Sequence, residues 1–478
     1  MKQIIYTLLL ILFCTPKLMA QSSDLTCNLG FVFEISNDRS WGYGEPVIVN
    51  ITPGSPAEKA GLKLNDIILE VNDKGTYLQK YETIMSWFAI NETEMNISIR
   101  NMESTFKEMV IAKDCRRADG ITEAQLAPVF AFYSLEDVQD RRFIMPVKTK
   151  TNEEAQYHNY RTFGFAPSDE STRELDERIN AIFTRALQAR GLRHDPEDPD
   201  FIIQTFYSYE SNSAFKPESP TLGSYQPVWR FDMRNKRMVK IPVYNPSEAV
   251  RIDDIPFNVE FGYRFYDRKF VQPGEMTLMW ESEIKERLSG NYGLIDYLEM
   301  NLPLMLQKFP YAGSASLATY QVKSLKYNYT GISYNMNDLK TVVYVDPGSP
   351  AAFAGIRYGD VVSKIGRQNF NHTSQSLTEG YRRFLAETMN YRDKSTRYTD
   401  SNGFQEAMYW DVTHYNSISK AIGDNKRYKS GFSYLFNFNQ YVDWTTPRAL
   451  EIEVIRDGEK IQVEVVPQIK NSLQILTY

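Results

Sequence analysis

Apolar residues along this chain fall into short runs punctuated by Gly and Pro, and one such pattern occurs twice. The first copy has Val47-Ile48-Val49, then Pro53-Gly54-Ser55-Pro56-Ala57, Ala60-Gly61-Leu62-Lys63 and Asp66-Ile67-Ile68. The second has Val342-Val343-Tyr344-Val345, then Pro347-Gly348-Ser349-Pro350-Ala351, Ala354-Gly355-Ile356-Arg357 and Asp360-Val361-Val362. Eight of sixteen positions from Pro53 and Pro347 onward are identical without a gap, at an offset of 294 residues. That offset is far too long for a solenoid period, so one domain type is used twice. Each copy predicts strand, turn, short helix, turn, strand. Ser55 or Ser349 is placed to cap the helix, with Pro56 or Pro350 at its first position. The Ala-Gly pair ends it, because Gly accepts the left-handed conformation. Ala60 and Ala354 are expected to share one buried site on that helix.

Between the copies the pattern changes. Tyr160–Phe165 reads as a strand, and Leu175, Ile179, Ile182, Phe183 and Leu187 follow at helical spacing up to Gly191. Strands are expected again at Phe201–Tyr207, Val228–Asp232, Val259–Tyr266 and Glu275–Ile284. A last helix is expected over Tyr292–Phe309, with Pro303 kinking or splitting it. After the second copy, Leu450–Ile455 and Lys460–Val466 form a hairpin around Asp457-Gly458.

The repeated Pro-Gly-Ser-Pro-Ala, Ala-Gly and Asp-apolar signature resembles the PDZ domain, in the circular arrangement of bacterial envelope proteins. The resemblance implies a carboxylate-binding loop before a strand, with a second helix flanking a groove. In the first copy the loop is Asn28-Leu29-Gly30-Phe31, the strand runs to Ile35, and the helix lies near Tyr77–Phe88. Tyr81, Met85 and Phe88 share a face of that helix. In the second copy the loop is Thr330-Gly331-Ile332, followed by Ser333-Tyr334-Asn335, with its helix near Ser374–Met389. The first copy departs from the family at Asn28, where Gly is usual, and by an insertion at Asn37–Glu45. The second departs at Thr330, a change expected to weaken its hold on a carboxylate. It also carries an insertion at about 391–446, either an ordered lid or a mobile loop. The middle section resembles domain of unknown function 4136 through Tyr160–Phe165, Leu187–Leu192, Asp198–Phe201 and the Trp280 strand. That likeness implies an α+β envelope domain and no known chemistry.

Composition sharpens the picture at the ends of the chain. An apolar run of about ten residues, Ile4–Phe13, is too short to span a bilayer. Residues 1–20 read as a signal peptide cut after Ala20, the alternative being lipid attachment at Cys14. The net charge is −6, and −8 once Lys2 and Lys17 are removed, which argues against a general nucleic-acid binder. Cys27 and Cys115 then remain as an even pair in an oxidising space, expected to be joined; the alternative is two unpaired thiols.

The search for catalytic motifs returns little. There is no Gly-x-Ser-x-Gly, Asp-Thr-Gly or His-Glu-x-x-His pattern, nor a Gly-rich phosphate loop. His158, His194, His372 and His414 lie in polar contexts and read as solvent-facing or structural. No metal or cofactor is expected.

The sequence therefore predicts an α+β multidomain protein. Two PDZ-like, partly open β-barrels with two helices each, at 21–118 and 325–470, flank an α+β sandwich-like domain at 125–320. The expected role is non-enzymatic: binding protein C-termini or extended peptides in the periplasm or cell envelope, with membrane-associated envelope proteins among the possible partners. A scaffold subunit of an envelope assembly differs from this only in its partner. By resemblance, Leu29, Gly30, Phe31, Phe33, Tyr81, Met85 and Phe88 line the first groove, and Thr330, Gly331, Ile332 and Tyr334 the second. The first is expected to bind better. The alternatives are that Leu29, Phe31 and Phe33 are core residues beside a self-occupied groove, or that the chain is a divergent peptidase or hydrolase with its site in the middle domain.

Overall fold

The computed structural model describes residues 25–89, 92–131, 140–215, 228–235, 237–243, 255–312, 318–394, 396–399, 405–411, 414, 417–418, 430–436 and 448–477. Residues 1–20 with Cys14, most of the stretch 211–227, and much of the 391–446 insertion with Trp444 lie outside the described residues.

The first unit is an antiparallel sheet in the order Phe31–Ile35, Pro46–Ile51, Ile67–Val71, Glu94–Arg100, Lys107–Ala112, with the short strand Lys74–Gly75 on Ile67–Val71. Alternation sends Phe33, Ile48, Ile68, Ile97, Ile99 and Ile111 into its core. The Pro56–Ala60 helix begins as expected, with the Ser55 hydroxyl accepting the Glu58 N–H and Pro56 in the first turn. It ends at Gly61, whose φ is +90°. Ala57 is its fully buried residue, and Ala60 is only half-buried. The strand Leu25–Asn28 pairs with Asp114–Arg117, which sets Cys27 opposite Cys115. The two are joined, with Cα atoms 3.9 Å apart.

The middle sheet runs Val147–Thr151, Thr277–Leu288, Phe257–Asp267, Phe201–Ser211, Thr162–Phe165, Arg193–His194. Thr162–Phe165 and Phe201–Ser211 are parallel, so the chain crosses over between them, and the helix Arg173–Gln188 makes that crossover. Its apolar stripe of Ile179, Ile182, Phe183 and Leu187 is buried against the sheet. The helix Leu294–Leu306 keeps Pro303 within it. The core is shared with the first unit: the Asn37–Glu45 insertion supplies Trp41, 1% exposed, whose indole N–H donates to the Asn65 carbonyl at 2.9 Å.

The second unit runs through strands and helices in the same order as the first, on two separate sheets. Val342–Val345, Ile332–Asn335 and Gly120–Thr122 make three strands; Gln368–Asn369, Val361–Ile365, Leu450–Arg456 and Glu459–Val465 make four. Ser349 caps the Pro350–Phe353 helix, and the second helix spans Ser374–Thr388. Asp457 and Gly458 both have positive φ, +51° and +86°, at the expected hairpin. Ala351 is buried as Ala57 is, and Ala354 is half-buried. So the buried alanines of both helices lie three residues before the expected Ala60 and Ala354. A three-stranded sheet of Asp140–Met145, Ala318–Tyr329 and Gln468–Thr477 bridges the middle and second units.

The fold is mixed α+β, and no described strands close a barrel. One expectation needs correction, the boundary at 125. The helix Glu123–Phe130 packs in the second unit's core, where Phe130 stacks on Phe432 at 4.7 Å, and the middle sheet starts at Val147. In the same way the last strand runs past 470 to Thr477, because Ala318–Tyr329 offers it a long pairing edge. The described part of the 391–446 insertion is packed: Trp410, Phe432 and Tyr434 are buried.

Candidate functional site

The loop Asn28–Phe31 owes its shape to Gly30. Its φ is +80°, and a Cβ there would lie 2.1 Å from the Ser55 Cβ, so only Gly fits. The Leu29 carbonyl accepts the Ala57 N–H at 3.0 Å and the Gly30 carbonyl accepts the Thr52 N–H at 2.7 Å. With these carbonyls engaged by Ala57 of the short helix and by Thr52 ahead of it, the trans peptides turn the Gly30 and Phe31 N–H groups the other way. The Gly30 N–H is met by the Asn28 side-chain oxygen at 2.8 Å. Asn at the loop's opening position thus supplies a resident acceptor to the nest.

The residues expected around the first groove come together. Phe31 meets Phe88 edge-on at 5.3 Å, and Phe33 lies 4.9 Å from Tyr81 and 5.8 Å from Phe88. Leu29 is half-buried beside them. Phe33, 4% exposed, is the floor and belongs to the core. Ile84 is the residue that the Tyr81–Phe88 helix buries fully, while Tyr81 and Met85 are each 42% exposed. Phe31–Ile35 is an end strand of its sheet, and no described strand pairs with its outer edge.

The second loop has the same construction. Gly331 has φ +90°, and its Cβ would lie 2.2 Å from the Ser349 Cβ. The Thr330 carbonyl accepts the Ala351 N–H at 2.9 Å, and the Gly331 carbonyl accepts the Asp346 N–H at 2.8 Å. Both following strands carry a bulge at the same step, Val32/Phe33 and Ser333/Tyr334. Ile332 is buried in the core. Tyr334 corresponds to Phe33 and is fully buried, its hydroxyl 2.9 Å from that of Tyr434.

This loop holds a carboxylate. Glu123, 1% exposed, accepts the N–H groups of Thr330 at 2.7 Å and Gly331 at 2.9 Å on one oxygen. Its other oxygen accepts the Thr330 hydroxyl at 2.5 Å and the Tyr434 hydroxyl at 2.6 Å. Burial pushes the Glu123 carboxyl up to about 7, against those four donors. The residues just before it, Gly120–Thr122, lie antiparallel on Ile332–Asn335. Thr330, where the family's apolar residue is absent, adds a hydroxyl donor to this carboxylate. Glu123 itself escaped the sequence reading. The local signal was a capping box, Thr122 with Gln125, which starts a helix at Glu123. Nothing local links that helix start to a loop two hundred residues away.

The remaining candidates lie apart from both loops. Burial beside Arg100 and Arg161 holds the His158 imidazole down at about 4. His372 packs its ring against Phe370 and Phe432. His194 lies against Phe163 and Phe165, and His414 pairs with Asp411 at 3.2 Å.

Comparison with known proteins agrees with this geometry. A family model for the PDZ domain matches residues 47–84, and one for domain of unknown function DUF4136 matches residues 147–311. No curated protein matches the chain. The solved structure of a PDZ domain protein from Parabacteroides distasonis is 34% identical over 95% of this chain and 100% of its own, with a TM-score of 0.80. The HtrA3 PDZ domain bound to a phage-derived ligand is 18% identical over 19% of this chain and 88% of its own, with a TM-score of 0.18. The full-length likeness at 34% identity carries the assignment: this chain belongs to the PDZ domain proteins, with a DUF4136 domain at its centre.

Proposed function

We propose that this protein is a non-enzymatic binding protein that captures the C-terminal end of an extended peptide in its first unit, and that both repeats are PDZ-like modules. The observation that carries this is the second loop's grip on a carboxylate. There, two backbone N–H groups of a Gly-centred loop hold a carboxylate while a strand adds to the edge beside it. The first loop has the same carbonyl anchors, the same positive-φ Gly and an end strand beside it. A peptide adding to Phe31–Ile35 gains main-chain hydrogen bonds, and its last side chain meets Leu29, Phe31, Met85 and Phe88. Its terminal carboxylate takes the place of the Asn28 amide oxygen, because a charged acceptor makes the stronger bond. Protein C-termini exposed in the cell envelope are the partners in this reading. The apolar address at Ile4–Phe13 and the Cys27–Cys115 bridge support that compartment.

Calorimetric titration of the chain with pentapeptides ending in Val, Leu, Phe or Asp tests it. Saturable binding of the apolar-ended peptides, lost when their C-termini are amidated, is the expected result. Binding indifferent to amidation, or none across the panel, overturns it.

A further inference from the structure

We propose that Asp119–Glu123 is a resident ligand of the second unit, held as a peptide C-terminus would be, with the Glu123 side chain standing in for the terminal carboxylate. This rests on reading the second repeat as PDZ-like. Three independent features support it. The strand Gly120–Thr122 pairs with Ile332–Asn335 in antiparallel register, with the Met336 N–H donating to the Asp119 carbonyl at 2.8 Å beyond it. The Glu123 carboxylate fills the acceptor position over the Thr330 and Gly331 N–H groups. The segment is also fastened from upstream: the Arg116 guanidinium reaches Asp346, on the second unit, at 2.6 Å and lies over the Tyr344 ring.

A tethered ligand competes at an effective concentration in the millimolar range, well above that of most free peptides. The second unit is therefore closed to outside carboxylates, and its groove serves to lock the end of the first unit onto the second. The two repeats have diverged in use: one groove faces partners, and the other holds its own chain.

Amide exchange on the full chain tests this at Thr330 and Gly331, whose N–H groups point at Glu123. Replacing Glu123→Ala should speed exchange at these two amides at least tenfold while leaving Leu29 and Gly30 within twofold. Tyr434→Phe removes a single donor and should move the same amides in the same direction by a smaller factor, which keeps the test alive if the alanine variant unfolds. An acetylated, amidated peptide copying residues 117–125 should bind the Glu123→Ala chain at least tenfold more tightly than the unaltered chain, and slow the two amides again. Unchanged exchange at Thr330 and Gly331 in both variants, or equal binding of the copied peptide to the altered and unaltered chains, overturns the proposal. A first unit that binds no peptide would leave these readouts untouched, since they lie in the second unit and use the chain's own sequence as probe.

Discussion

Asp66 and Asp360 occupy the same place in the two units and face different partners. Each accepts a backbone N–H three residues back, from Lys63 at 2.8 Å and Arg357 at 2.9 Å. The second partner comes from the end of a later strand: Asn101, just past Glu94–Arg100, donates its amide to Asp66 at 3.0 Å, whereas Arg456, which ends Leu450–Arg456, donates from two guanidinium nitrogens to Asp360 at 2.7 Å each. Burial pushes the Asp66 carboxyl up to about 6, against the bonds from Lys63 and Asn101. At Asp360 burial acts the same way, but the Arg456 bonds and charge outweigh it and hold the carboxyl below its usual range.

The two sites should therefore respond to pH with opposite sign. Asp66 binds its proton more tightly folded than unfolded, where its value is about 3.9. Its contribution is complete below that value and is lost as pH rises through about 6. Asp360 contributes above the unfolded value, and that contribution is lost as pH falls through its lower folded value. Melting curves from pH 3 to 7 on the unaltered chain and Asp66→Asn measure this. The variant should lack the decline between about pH 4 and 6. An identical slope in both proteins would show that Asp66 is not its source.

In the proposed peptide groove, Met85 is the contact that the fold needs least. It is 42% exposed, while Ile84 beside it is fully buried. Met85→Ala should leave the melting temperature within about a degree and weaken apolar-ended peptides by about 1 kcal/mol, roughly fivefold. Gly30→Val is the contrasting case. Its Cβ would overlap Ser55 at a positive φ, so binding should vanish and stability fall together. Normal affinity in either variant would place the peptide elsewhere.

Asn28 makes a sharper prediction, because in the proposed reading it competes with the peptide carboxylate. Its side-chain oxygen holds the Gly30 N–H at 2.8 Å. Asn28→Gly frees that donor and should tighten carboxylate-ended peptides severalfold with no gain for amidated ones. Weaker binding of both kinds would mean that Asn28 shapes the loop instead of blocking it.

How far the sequence could be read follows from the range of each interaction. Ser55, Ser349 and the Asp457-Gly458 turn act on residues within four positions, and their elements fall where expected. The groove residues of the first unit were reached by resemblance, since Phe33 and Tyr81 are far apart in sequence but adjacent in the fold. Glu123 and Trp41 were missed for one reason. Each reads locally as a surface residue at a helix start or in an insertion, and each is buried by a different unit of the chain. The Asp140–Met145, Ala318–Tyr329 and Gln468–Thr477 strands pair between units and leave no local turn signal that joins them.

Within the middle unit, Arg230 and Glu286 form a buried ion pair, with side chains 1% and 2% exposed. The Tyr297 hydroxyl donates to the second Glu286 oxygen at 2.6 Å. Glu286→Ala leaves the guanidinium buried without its counter-charge and should cost about 3–5 kcal/mol. Adding Arg230→Met removes the stranded charge, so the double variant should recover much of that loss in a denaturation series. A double variant no more stable than Glu286→Ala would mean that lost packing, not the stranded charge, sets the cost.

The Cys27–Cys115 bridge joins the strand that enters the first unit to the strand that leaves it, across a sequence separation of 88 residues. Closing a loop of that length restricts the unfolded chain by about 4.6 kcal/mol in the loop-entropy account, an upper figure for the measured effect. The bridge also fixes the start of the path into the second unit. Cys115 is followed by Arg116, which reaches Asp346 at 2.6 Å, and then by the Gly120–Thr122 strand and Glu123. Paired replacement, Cys27→Ser with Cys115→Ser, should therefore act in two places. Global stability should fall by about 3–4 kcal/mol in denaturant. Amide exchange at Thr330 and Gly331 should also rise by more than that global loss explains, because the segment that covers them has lost its upstream anchor. If exchange there rises only in step with global unfolding, the bridge stabilises the first unit alone, and Arg116 with the strand pairing suffices to hold Glu123 in place.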